Sequence, residues 1–252
     1  MTPFLARFRK VLAAAGLATA LAAASPVRGA DVAIAWDPDL ARPDDRAAYE
    51  RTLRGMVQDA RARVVAGLGM EPGPELTVKV HSRAGYERAF GADAAREDAA
   101  RFVGEVVHVN GGARLDDRLA GLLVHELTHA ALDAGGKART LPRWLDEGLA
   151  ERLSWQRRGQ DGPTPGQAAE LKQARERKEL VPLPADRELD RSGYLRSWAA
   201  VVFLERRYGR DRVMATVRAT LGGEPFEKAL RRELSLSTGE LDRDFAAWVG
   251  GL

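Results

Sequence analysis

Val124-His125-Glu126-Leu127-Thr128-His129 lies inside a strongly helical run from Leu115 to Ala134. Positions i and i+4 of an α-helix sit one above the other on the same face, so His125 and His129 can present two imidazoles to one metal ion. Glu126 is turned roughly 100° from His125, at about 3.6 residues per turn. That placement keeps it out of the ligand pair but within reach of a water on the metal. Two histidines and one adjacent carboxylate are the parts that a zinc-dependent hydrolase needs.

The surrounding residues agree with a buried, metal-bearing helix. Leu115, Leu119, Leu122, Leu123, Leu127 and Ala130 recur at helical spacing, and Gly135-Gly136 ends the run. Leu141-Pro142 opens a second helix, Arg143-Trp144-Leu145-Asp146-Glu147-Gly148-Leu149-Ala150-Glu151, with proline at a permitted first-turn position. The short connection keeps the two helices close, so the second can deliver a third ligand. The chain has no Cys and four His (His81, His108, His125 and His129), which points to a carboxylate. Asp133, Asp146, Glu147 and Glu151 are the candidates. Glu147 and Glu151 share a helix face, so one can bind metal while the other accepts a hydrogen bond from a ligand histidine. Gly148 permits close packing of the two helices.

His125-Glu126-Leu127-Thr128-His129 followed by Trp144-Leu145-Asp146-Glu147-Gly148-Leu149-Ala150-Glu151 resembles the gluzincin metallopeptidases, most closely the peptidase MA-like domains. The resemblance implies an α+β, zincin-like fold: a small N-terminal β-sheet lobe with helices, a mainly helical C-terminal lobe, and an active-site cleft between them. It implies one zinc ion per chain held by His125, His129 and Glu147, with Glu126 as catalytic base and Glu151 and Asp146 supporting the ligands from behind. A long helix from Tyr194 to Tyr208-Gly209 also looks like this family. A Tyr194 phenol aimed at the carbonyl oxygen of a substrate would donate to the developing oxyanion.

The first thirty residues read as a secretory signal peptide. Arg7, Arg9 and Lys10 precede an apolar, Ala-rich run from Val11 to Ala24, and Ser25-Pro26 breaks it. Fourteen residues are too few to span a bilayer comfortably, which takes about 20. Cleavage is expected between about residues 24 and 30, which makes the protein exported, periplasmic or extracellular, with no stable membrane span afterwards. Residues 1–30 carry Arg7, Arg9, Lys10 and Arg28 and no acids, so 35 of the 39 basic side chains remain against 36 acidic ones. The basic pI of 9.4 therefore belongs to the leader, and no nucleic-acid partner follows from it. Residues 31–252 suit one domain, with the sheet lobe over about 31–134 and the helical lobe over about 141–252.

Elsewhere the sequence predicts strands over Val32–Trp36, Leu76–His81 and Phe102–Val109, and a long helix capped by Asp44 or Asp45. His81 and His108 read as strand-end or partly exposed histidines. By the same resemblance, the strand before the metal helix is expected to edge the cleft and pair with substrate backbone, with Val106 and His108, or Val107 and Val109, towards the substrate. Residues 156–166 read as a polar, Gly/Pro-containing loop, the best candidate for a mobile or lobe-joining segment.

The function implied is a zinc metallopeptidase that hydrolyses peptide bonds in a peptide or protein substrate. The gluzincin aminopeptidases carry a Gly-x-Met-Glu-Asn segment that captures a free amino terminus; none occurs here, and the resemblance therefore implies an endopeptidase. The alternative is a catalytically inactive zinc- or peptide-binding module of the same fold.

Overall fold

Alternating valines build the sheet. In β2 (Thr77–His81) and β4 (Val106–Asn110), Val78, Val80, Val107 and Val109 share one face and are fully buried, while Lys79 and His108 point the other way. Two further strands, β1 (Ala33–Trp36) and β3 (Ala100–Val103), complete a four-stranded sheet of order β1-β2-β4-β3. The first three in that order run parallel; β3 is antiparallel to β4 and forms one edge. The computed structural model describes residues 33–38, 40, 46–73, 76–111, 113–136, 140–181, 183 and 189–252. The leader expected over residues 1–30 and the caps expected at Asp44 and Asp45 lie outside these.

The buried valines share one core with Leu53, Val57, Ala60 and Val64 of α1 (Arg46–Leu68) and with Leu119, Leu123 and Leu127 of α4 (Asp117–Ala134). Asp116 starts α4 by accepting from the backbone N–H groups of Arg118 and Leu119, and Gly135 caps its end. The second motif helix, α5 (Arg143–Arg157), lies antiparallel to α4. Asp146 near its start meets His129 late in α4, and Arg157 at its end meets Asp117 at the start of α4. Pro142 is the residue before the first helical one, a position that needs no amide donor. The remaining helices are α2 (Arg83–Phe90), α3 (Ala92–Glu97), α6 (Pro165–Glu176), α7 (Arg191–Tyr208), α8 (Arg210–Leu221), α9 (Phe226–Leu234) and α10 (Thr238–Gly250). The class is α+β. No helix among the described residues is long and apolar enough to cross a membrane.

Three sequence expectations need correction. Phe102–Val109 is not one strand but the two arms of a hairpin, β3 and β4. Gly104 and Glu105 between them have φ of +59° and +66°, the left-handed pair of a two-residue turn. Glutamate is rare at such a φ, so the local sequence reads on as strand. The cleft edge is consequently β3, and β4 is an interior strand whose Val107 and Val109 are in the core. Second, the segment after α5, read as mobile or lobe-joining, links α5 to α6 and is held by an ion pair and a hydrogen bond. Arg152, buried and paired with Glu205 at 2.7 Å, also holds Asp161 at 3.3 Å, while Arg206 donates to the Asp161 carbonyl at 3.1 Å. That pins the segment against α5 and α7. Third, Gly148 serves α7 rather than α4: a Cβ there would lie 2.5 Å from the Ser197 carbonyl oxygen and 2.8 Å from Val201 Cγ2.

Candidate metal centre

His125 and His129 project from the middle of α4 into a cleft of about 1170 Å³. The cleft is lined by residues 98–103 at the sheet edge, by residues of α4 and α5, and by Leu189 and Tyr194. Nε2 of His125 and Nε2 of His129 lie 3.2 Å apart. Glu147 Oε2, from α5, lies 3.3 Å from the first and 3.5 Å from the second. Tetrahedral coordination with bonds of about 2.0–2.1 Å puts ligand atoms about 3.3–3.4 Å apart, so the triangle has the edges that one bound ion requires. Glu147 is 2 % exposed, and its Oε2 makes no hydrogen bond. A buried carboxylate oxygen is costly unless positive charge faces it, which here means protons on the two imidazoles or a metal cation between them. His125, His129 and Glu147 are thus a buried group that can hold a metal ion.

Each ligand is braced from behind. Asp146 Oδ1 lies 2.9 Å from His129 Nδ1, and Glu151 Oε1 lies 3.3 Å from His125 Nδ1. These contacts turn both Nε2 atoms towards the centre and favour the tautomer with an Nε2 lone pair. The Trp155 indole donates to Glu151 Oε2, and Trp155 itself stacks on Trp198 of α7 at 4.8 Å. Arg143 holds the other Glu147 oxygen, Oε1, at 2.6 Å. Asp133 lines the cleft but stands outside the ligand group.

The electrostatics have the same sense. Burial alone would lower His125 and His129, but the carboxylates beside them outweigh it: His125 stands well above its ordinary value and His129 is raised to about 9. Burial would raise Glu147, yet the two imidazoles hold it far below the usual carboxylate range. In the bare chain these acids retain protons on the imidazoles; a divalent cation can take their place.

Glu126 stands beside the triangle, 8 % exposed, and its Oε2 accepts from the Phe102 backbone N–H at 2.7 Å. Alternate residues of an antiparallel edge point their amides outwards, and Phe102 spends its outward amide on this glutamate. Burial raises the Glu126 pKa, partly offset by the neighbouring histidines. Tyr194, in the first turn of α7, lines the same cleft next to Arg143 and Glu147. Burial, then the Glu147 charge, raises its phenol, which therefore remains a donor at neutral pH.

All seven site residues singled out in the sequence meet at one cleft. Arg143 and the Phe102 amide were missed. Arg143 stands four residues before Glu147, a readable helical ion-pair spacing. The Phe102 contact joins a backbone amide to a residue 24 positions on, and no local pattern carries it.

The other two histidines form a separate cluster on the outer face of the sheet. His81 stands at the end of β2, as its strand-end reading has it, but is 3 % exposed rather than on the surface. Its Nε2 lies 2.8 Å from His108 Nδ1, with Asp37 at 3.7 Å on its other nitrogen and the Tyr86 and Phe90 rings of α2 packed against it.

Compared with models of known protein families and with curated proteins, the chain matches none.

Proposed function

We propose that this chain is an exported zinc-dependent peptidase of the gluzincin kind, closest to the peptidase MA-like domains, with a zincin-like arrangement of sheet, metal helix and glutamate helix. The reading is carried by the His125–His129–Glu147 triangle in the cleft with Glu126 beside it. Zinc suits a donor set of two imidazoles and one carboxylate better than the oxygen-seeking cations do. A bound zinc supplies Lewis acidity there, enough to bring the pKa of water to about 7 and to polarise an amide carbonyl.

The chain's own residues do the rest. His125, His129 and Glu147 would hold the ion, with their donor atoms turned towards the cleft that takes water and substrate. Glu126 keeps Oε2 on the Phe102 amide, so its carboxylate has one orientation, and Oε1 takes the proton from the attacking water. The same oxygen then delivers that proton to the leaving nitrogen, which turns an amide anion into a neutral amine. The raised pKa of Glu126 makes both transfers easier near neutral pH. Tyr194 O–H donates to the carbonyl oxygen as negative charge builds on it. The substrate is a peptide or protein lying along the β3 edge. The open cleft and the lack of an amino-terminal capture motif favour cleavage within the chain.

Zinc content and proteolysis test this together. The exported protein should carry one zinc per chain and cleave peptides in a broad library digest. Glu126→Gln should keep stoichiometric zinc and lose about 10²- to 10⁴-fold or more of the turnover. Absence of bound zinc defeats the reading altogether, and unchanged turnover in the variant defeats the mechanism. Zinc without cleavage of any peptide would leave the binding module instead.

A further inference from the structure

Charge is distributed unevenly along the cleft. Arg118 and Arg158 line the end formed by the start of α4 and the end of α5. Both are exposed, and neither side chain makes an ion pair or hydrogen bond with any described residue. They are also neighbours. A Cβ built on Gly121 would lie 2.9 Å from Arg158 Nη2 and 3.2 Å from its Nε, so this guanidinium rests on the surface of α4. Gly121 is one turn from Arg118 on the same side of that helix, at i+3. The acids nearby are already engaged: Asp98 holds Arg101 at 2.6 Å, Glu151 holds His125 and the Trp155 indole, and Asp117 holds Arg157 at 3.0 Å. Among the described residues, the two guanidiniums are thus uncompensated, and they line the cleft together with apolar Leu122 and Trp155.

We infer that this end of the cleft is a carboxylate subsite, and that Arg118 and Arg158 select substrates carrying an acidic group there. Guanidinium presents paired N–H donors that match the two oxygens of a carboxylate, and two such forks on adjacent helices can share one. The inference rests on the peptidase reading for its substrate and specifies where the negative charge must fall. Arg118 lies about 10 Å before His125 along the axis of α4, and Gly121 about 6 Å, at about 1.5 Å per residue. An extended peptide advances about 3.3–3.6 Å per residue, so the carboxylate sits about two or three residues from the hydrolysed bond. An aspartate or glutamate side chain satisfies this, and so does a free C-terminus at that distance.

Binding separates the subsite from the chemistry. Zinc-loaded Glu126→Gln protein is titrated with fluorescent peptides in which a single Glu, Gln or Lys is moved through three positions either side of a fixed centre. Each peptide is prepared with a free or an amidated C-terminus. At one register Glu should bind about tenfold tighter than Gln, with the preference falling as salt rises. Loss of the preference on amidation alone would identify the terminal carboxylate as the source; its survival would identify the side chain. Arg118→Gln and Arg158→Gln should each reduce the ratio without changing zinc content, and R118E/R158E should turn the preference towards Lys. Equal affinity for Glu, Gln and Lys peptides at every register overturns the subsite. Hydrolysis by the unsubstituted protein is scored separately. Cleavage without charge preference defeats the subsite and leaves the peptidase; charge-selective binding without any cleavage defeats the peptidase and leaves the subsite.

Discussion

Among the described residues the Asp146 carboxylate has one contact at the site, 2.9 Å from His129 Nδ1, and that contact sets which nitrogen of His129 faces the centre. Replacing it with Asn keeps the shape and can present an N–H where an acceptor is needed, which favours the wrong tautomer. Asp146→Asn should therefore lower zinc affinity about 10- to 100-fold, measured by competition with a chelator of known strength. An unchanged affinity would show that the surrounding packing orients His129 without help. Glu151 has the equivalent position behind His125 at a longer 3.3 Å and is itself held by Trp155, so the two ligands are braced by different means. Arg143 acts on Glu147 from the opposite side. By occupying Oε1 it leaves only Oε2 for a metal, which favours a single oxygen bond from that glutamate.

At the scale of elements, the candidate metal centre depends on α5 being clamped between two partners. α4 supplies the imidazoles on one side, and α7 presses against Gly148 on the other. With a Cβ at 2.5 Å from a backbone oxygen there is no flexible side chain to give way, so the helices must separate. Gly148→Ala should cost about 1–3 kcal/mol, read as a lower urea midpoint at unchanged slope. Because the shift moves Glu147, zinc affinity should fall with it. A variant as stable as the parent would mean that α7 can slide, and that the close approach is incidental. The β3–β4 hairpin is the other element on which the site relies. Its turn at Gly104-Glu105 returns the chain so that β3, rather than β4, lies along α4, and only then does the Phe102 amide meet Glu126.

For the whole molecule, the outer sheet face carries a titration of its own. His81 is lowered by burial first, then by His108 and Lys79, with Asp37 opposing; His108 is lowered by burial and by Lys79, with a backbone contact at Val103 opposing. Both fold as neutral imidazoles, while the unfolded chain binds protons near the ordinary 6.5. Their contribution is therefore intact above pH 6.5 and is lost as the pH falls through the lower folded values. In excess chelator, so that metal release does not contribute, the parent should lose more stability between pH 7.5 and 5 than His81→Asn does. Parallel losses in the two proteins would show that the pair does not titrate in this window.

Much of the site was legible locally because an α-helix converts spacing into direction. Four residues between His125 and His129 aim two imidazoles together, and the same rule sets Glu147 and Glu151 on one face of α5. The amphipathic stripe of α4, its glycine stop and the short step to α5 follow from the same periodicity. Other features depend on which distant segments touch, and no local pattern records that. The hairpin within residues 102–109 hinges on one glutamate held at positive φ. The burial of His81 requires α2 to fold across the sheet. Gly148 meets Ser197 and Val201, about fifty positions further along the chain, and the Glu126–Phe102 bond joins a side chain to a backbone amide. The sequence by itself determined that His125 and His129 share a helix face and that a carboxylate-bearing helix follows, because helical geometry acts over a few residues; it left Asp133, Asp146, Glu147 and Glu151 open as the third donor. Only the tertiary structure decided which strand edges the cleft and that three donor atoms close to within 3.5 Å of one another, because those depend on long-range packing.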